Sequence, residues 1–175
     1  MNVYQVNEMI MYGTYGVCKI DSIVTKEIGG NSIEYYVLKP VYSNNSTIYV
    51  PVHNPHLKKK MHQVLTSGEI YQLIKAMPDE NVVWIENENE RKEKFKEIIM
   101  SGDRMSLIKM IKALYFHQQK QQEKGKRLRA SDERFFTEAE RILYDEFALV
   151  LNIEPEQVLP FIMEQVQISE KNQTA

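Results

Sequence analysis

At 175 residues, with 43% hydrophobic and 26% charged content, the chain is long enough for one domain or two small ones of ordinary globular composition. No apolar run approaches the roughly eighteen residues a membrane span needs, and the Met1-Asn2-Val3-Tyr4 start has neither the basic region nor the apolar core of a signal peptide. The single cysteine, Cys18, excludes an internal disulfide framework, suits a reducing cytoplasm and is expected as a small core residue.

The stretch from Met9 to Pro51 reads as a run of short β-strands. Ile10 and Tyr12 alternate before the Gly13-Thr14-Tyr15-Gly16 break, and Val17 to Ile23 alternates again. Gly29-Gly30 supplies the positive-φ positions of a tight hairpin. Tyr35 to Leu38 follows as a strand ended by Pro40, Asn44-Asn45 is expected to turn, and Thr47 to Val50 is a last strand closed by Pro51. There is no room for helical crossovers, which leaves an antiparallel sheet or small barrel. Residues 52–65 read as a connector; the spacing of His53, His56 and His62, without Cys or carboxylate, argues against a metal site.

After Val64 the pattern is helical, dividing the chain into a β-module at 1–64, a helical domain at 65–168 and a tail at 169–175. Ser67 is expected to cap a helix bearing Ile70, Leu73, Ile74 and Met77, stopped by Pro78. The acidic connection from Asp79 to Asn89 holds the sole tryptophan, Trp84, which either pins the loop to the helical core or stands exposed for a partner or nucleic acid. Arg91 to Met100 reads as a short helix with Phe95, Ile98 and Ile99 inward. Asp103 starts a longer one with a stripe of Leu107, Met110, Ile111, Leu114 and Tyr115. Opposite that stripe gather Lys109, Lys112 and Lys120, with Phe116 between them. Ser131 is expected to cap the next helix, with Asp132 and Glu133 at the positive end of its dipole. Its inner arc is Phe135, Ala139, Ile142, Leu143, Phe147 and Val150, and Glu146 falls inside that arc, where a carboxylate needs a cationic partner. Asn152 ends this helix and Pro155 opens the last, which carries Pro160 and an apolar face of Val158, Leu159, Ile162, Met163 and Val166.

The formal charge of −2 conceals segregation: Arg104 to Arg129 holds eight Lys and Arg against Glu123 alone, whereas Asp132 to Glu146 holds six acids against Arg134 and Arg141. A basic stretch within an acidic protein points to a local anion-facing surface, centred on Lys109, Lys112 and the turn at Lys126-Arg127. That turn is not a phosphate loop, having one glycine and no preceding strand.

The order of Tyr12-Gly13…Gly16-Val17-Cys18-Lys19-Ile20, Glu34-Tyr35-Tyr36-Val37-Leu38-Lys39, Ile48-Tyr49-Val50-Pro51, a lone Trp84, Ser101-Gly102-Asp103 and Leu143…Glu146-Phe147-Ala148 resembles the CarD/CdnL family of bacterial transcription regulators. The resemblance runs from about Tyr4 to Leu151. It implies an α+β protein: a small antiparallel Tudor/SH3-like β-barrel of the kind shared with the transcription-repair coupling factor, followed by a compact all-α domain. It also implies binding of the RNA polymerase β subunit through the first module, at Lys26 and Tyr49, the latter standing where arginine is frequent. The helical domain would contact promoter DNA weakly and without sequence preference, Trp84 wedging into the minor groove beside the basic pair Arg91 and Lys92. The chain departs from the family pattern in the apolar and acidic flanks of Trp84, in the longer gap to Ser101-Gly102-Asp103, and in Leu128-Arg129, with the serine displaced to Ser131.

The resemblance implies a non-enzymatic regulator without cofactor, expected as a monomer, that stabilises the open promoter. The alternative is an adaptor on RNA polymerase that binds protein and leaves DNA untouched. No nucleophile–base pair, metal cluster or phosphate loop points to catalysis.

Overall fold

The computed structural model describes residues 4–42, 45–79 and 81–174. The chain divides into two compact units, Met1–Val64 and Leu65–Ala175. Unit 1 is an antiparallel sheet and unit 2 is helical, an α+β protein.

Strands β1 (Met9–Tyr12), β2 (Gly16–Ile28), β3 (Asn31–Pro40), β4 (Ile48–Pro51) and β5 (Met61–Gln63) line up in the order β4-β3-β2-β1-β5. The sheet is not closed: β4 and β5 are its two edges. Gly29 and Gly30, at φ 60° and 82°, turn β2 into β3 with Ile28 opposite Asn31. This is a conformation that side chains with a Cβ adopt at a cost. The register shifts between Ile20 and Ser22, so Asp21 is an extra residue in β2. Such a bulge inverts the alternation, and it lets Ile20, opposite Leu38, and Ile23, opposite Tyr36, serve one apolar face although they are an odd number of positions apart. That face is the core: Ile10, Tyr12, Cys18, Ile20, Tyr36, Leu38, Val50 and Val52 are buried together.

Two elements within 52–65 replace the expected connector. Asn54 Oδ1 accepts from the amides of His56 and Leu57 and caps the one-turn helix α1 (Pro55–Lys58), with Pro55 at its first position. Met61 then opens β5 opposite Tyr12, and its carbonyl accepts from the Tyr4 hydroxyl at 3.3 Å. A three-residue strand is too short to show periodicity. The turn expected at Asn44-Asn45 lies partly outside the described residues.

In unit 2, α2 (Ser67–Ala76) is capped by Thr66 and not by Ser67: Thr66 and Glu69 exchange hydrogen bonds as a capping box. Pro78 sits in the 3-10 turn Met77–Asp79 that ends it. Asn87 caps α3 (Glu88–Ser101), which closes at Gly102 with φ 72°. Asp103 caps α4 (Arg104–Glu123). The next helix, α5 (Ala130–Leu151), has Arg129 at its N-cap and no side-chain cap bond. Ser131 lies inside it and donates instead to Glu88 at 3.4 Å. Asn152, at φ 55°, ends α5. The last helix, α6 (Pro155–Thr174), runs through the residues expected as a tail; its polar end lacks an apolar stripe but also lacks any breaker.

Unit 2 carries its buried charges in pairs. Arg104 Nε and Nη2 grip Glu146 at 2.9 and 2.6 Å, and the Leu65 amide donates to the same carboxylate at 3.1 Å, so the 0% exposed Glu146 has its cation. Two-point geometry with a third donor is what makes such a pair tolerable away from water.

Candidate functional site

In unit 1 the ladder determines which side chains share the face opposite the core. Tyr35 stands opposite Val24 and Pro51, Lys26 opposite Ile33, and Tyr49 opposite Val37, while Tyr36 and Val50 alternate inward. This brings Lys26 and Tyr49 together: the ammonium lies 3.8 Å from the Tyr49 ring centroid and 5.9 Å from that of Tyr35. The two rings meet edge to face at 6.3 Å. Tyr49 is 47% exposed on the edge strand β4, and Lys26 is exposed. The result is a cation held over two phenols, exposed beside a sheet edge.

In unit 2 the segment before α3 carries Trp84, half-buried, with Val83 beside it 84% exposed. The indole stacks on the His117 ring of α4 at 3.8 Å and 8°, meets Phe95 of α3 at 6.4 Å and 64°, and lies 4.6 Å from the Arg91 guanidinium carbon. Neither of the two readings of Trp84 is sufficient alone, since the ring is fixed to the helices and still reaches the surface. Burial lowers the His117 pKa below its ordinary value; Arg91 acts in the same sense, and Asp132 and Glu86 oppose it. The folded state thus favours the neutral imidazole over the charged one.

Arg91 differs from its expected role. It is 3% exposed, its Nε and Nη2 bind Asp132 at 2.9 and 2.8 Å, and its Nη1 donates to the carbonyls of Ile85 and Glu86 at 2.9 and 3.2 Å. Each of its three nitrogens donates to protein, and it fastens the Trp84 segment to α5. Asp132, expected to serve the helix dipole, is the buried counter-ion. Lys92 is half-buried and pairs with Glu88 at 3.0 Å, and Arg129 binds the same carboxylate. The charges segregated in sequence therefore meet in space, and the acid at Glu88 is neutralised from both sides.

The lysine face of α4 is divided. Lys112 is half-buried and donates to the Met77 carbonyl at 2.7 Å. Lys109 lines a hollow of about 260 Å³ with Lys94, Phe95, Ile98 and Trp84. Lys126 and Arg127 are exposed in the turn after α4. A larger hollow, about 690 Å³, is lined by Trp84, Phe116, His117, Lys120, Lys124, Glu86 and Glu123 among others. Trp84, Val82 and Ala113 border both.

The reading from residues missed His117, Val83 and Lys124. His117 follows Ala113 and precedes Gln121 by one helical turn each, which is a positional signal, but nothing local shows that Trp84 stacks there. Among the described residues no three His, Cys, Asp or Glu side chains gather as metal ligands, and no helix is long and apolar enough to cross a membrane.

Residues 4–65 match the family model described as the CarD-like/TRCF RID domain, and residues 69–163 match that of the CarD C-terminal domain. The two matches meet at the division between sheet and helices, and the chain belongs to the CarD family, whose domains are those of RNA-polymerase-interacting transcription regulators.

Proposed function

We propose that this protein binds the β subunit of RNA polymerase through the Lys26–Tyr49 surface of unit 1 and stabilises the open promoter complex through the Trp84 surface of unit 2. The observation that carries the reading is the fixed aromatic: Trp84 is held by His117, Phe95 and Arg91 in the wall of a hollow that also carries Lys120 and Lys124. A ring already ordered loses little entropy on insertion. An aromatic wedge costs a few kcal/mol of unstacking, least where the duplex is already opening. Exposed Lys126 and Arg127 and the half-buried Lys109 and Lys92 are assigned to phosphates. Arg91 is assigned the holding of the Trp84 segment, and Lys112 that of the turn at Met77.

The logic is tethering. Docking of unit 1 raises the effective concentration of unit 2 over DNA, so the DNA contact itself need not be strong. With about three or four phosphate contacts the salt slope is only about −3 to −4, and the protein alone is expected to bind duplex weakly at physiological salt. Binding of the full chain to purified cognate polymerase tests the first contact. Lys26→Glu with Tyr49→Ala is expected to abolish it, and unchanged affinity would remove unit 1's assigned surface.

A second reading, an adaptor on polymerase without DNA contact, draws on the packing of Trp84 and on the nearby Glu86 and Glu88. In that case Trp84→Ala keeps polymerase affinity and leaves promoter opening unchanged.

A further inference from the structure

Phe116 has no part in the helical core. It is 49% exposed on α4, touches Tyr115 edge to face at 5.7 Å, and lines the same 690 Å³ hollow as Trp84. One helical turn beyond it comes Lys120, and Lys124 follows at the C-cap of α4, both exposed and both on that hollow's wall. An exposed aromatic beside a row of cations is an arrangement by which proteins hold single strands: the base stacks on the ring and the cations follow the phosphates. The hollow also has carboxylates, Glu86 and Glu123. A carboxylate repels phosphate but accepts a hydrogen bond from a base's exocyclic amino group, as acids do from cytosine N4.

We infer that the Phe116–Lys120–Lys124 hollow is a subsite for an unpaired nucleotide, with Phe116 as its stacking platform and Glu86 favouring bases that carry an amino group. This rests on the proposed DNA contact of unit 2 and gives it a preference for melted over paired strands. The subsite is distinct in mechanism from the Trp84 wedge: a wedge acts on a base step, whereas Phe116 holds a base that has already left the stack.

The test uses the full chain and short single-stranded oligodeoxynucleotides of cytosine or thymine, with a duplex of the same length as control. Trp84, the sole tryptophan, is the intrinsic fluorescent reporter. The cytosine strand is expected to bind more tightly than thymine, and both more tightly than duplex. Phe116→Ala is expected to weaken single-strand binding about fivefold or more, Phe116→Tyr to restore it, and Lys120→Glu to weaken it with a reduced salt slope. Phe116 is half-exposed, so circular dichroism of Phe116→Ala should match wild type, and Lys120→Glu gives an independent reading if it does not. Equal binding of Phe116→Ala and wild type to single strands would overturn the subsite, as would tighter binding to duplex than to single strands. If polymerase-bound wild type stabilises promoter opening and Phe116→Ala does so equally, the subsite fails while the broader reading stands. If wild type has no effect on opening yet binds single strands through Phe116, the broader reading fails instead.

Discussion

At the scale of residues, the site is organised by what each charge is bound to. Arg91 and Lys92 are adjacent and both basic, yet one is buried in a two-point bond with Asp132 and the other is half-exposed on Glu88. Replacing Arg91 by Leu leaves the Asp132 carboxyl without its partner in the interior, a loss expected at about 3–5 kcal/mol. Lys92→Ala is expected to lose about 0–1 kcal/mol. Urea unfolding of the two variants checks the contrast, and equal losses would contradict it. His117 adds a pH dependence of definite sign. Its folded pKa lies below the ordinary 6.5, so the folded state favours the neutral ring. The stability it contributes is fully present above about 6.5 and is lost as pH falls through the lower folded value. His117→Gln is therefore expected to lose less thermal stability than wild type on acidification below pH 6.5. A steeper loss in the variant would reverse the sign. Burial raises the pKa of Glu140 and Asp145, which contribute in the opposite sense at more acidic pH.

At the scale of elements, the strength of the local signal decided what could be read in advance. The long hairpin of β2 and β3 was legible because Gly29-Gly30 and the alternation of Tyr35 to Leu38 agree. The Asp21 bulge was not, because Ile20 and Ile23 look out of phase until Leu38 and Tyr36 are opposite them. The cap of α2 was legible as to residue type and displaced by one position, whereas α5 begins at Arg129 with no side-chain cap where Ser131 was expected. Thr66 took the position expected of Ser67, and its reciprocal bonds with Glu69 predict that Thr66→Ala costs about 1 kcal/mol, whereas Ser67→Ala is close to neutral. Denaturant midpoints of the two variants separate the assignments. Glu146's need of a cation followed from its place in an apolar arc, but Arg104 lies 42 residues away and no periodicity connects them. Trp84 itself was legible as a single exceptional residue. Its bed of His117, Phe95 and Arg91 was not, being assembled from two helices, α3 and α4, that the loop of Trp84 meets only in the fold.

At the scale of the whole molecule, the proposed division of labour follows the division of the chain into two compact units. Each unit has its own buried core, and each presents an aromatic paired with a cation or imidazole: Tyr49 under Lys26 in the sheet, Trp84 on His117 among the helices. The proposed action needs both, since the DNA contact proposed for the helical unit is expected to be weak without the polymerase tether. The lifetime of the open promoter complex, measured with purified cognate polymerase, tests this most directly. The comparison is between no addition, wild type, Trp84→Ala and Lys26→Glu with Tyr49→Ala, each at saturating protein where binding allows. Wild type is expected to lengthen the lifetime, and both variants are expected to lose the effect, Trp84→Ala while still bound to polymerase. A lifetime unchanged by polymerase-bound wild type would contradict the account and leave the adaptor reading in its place.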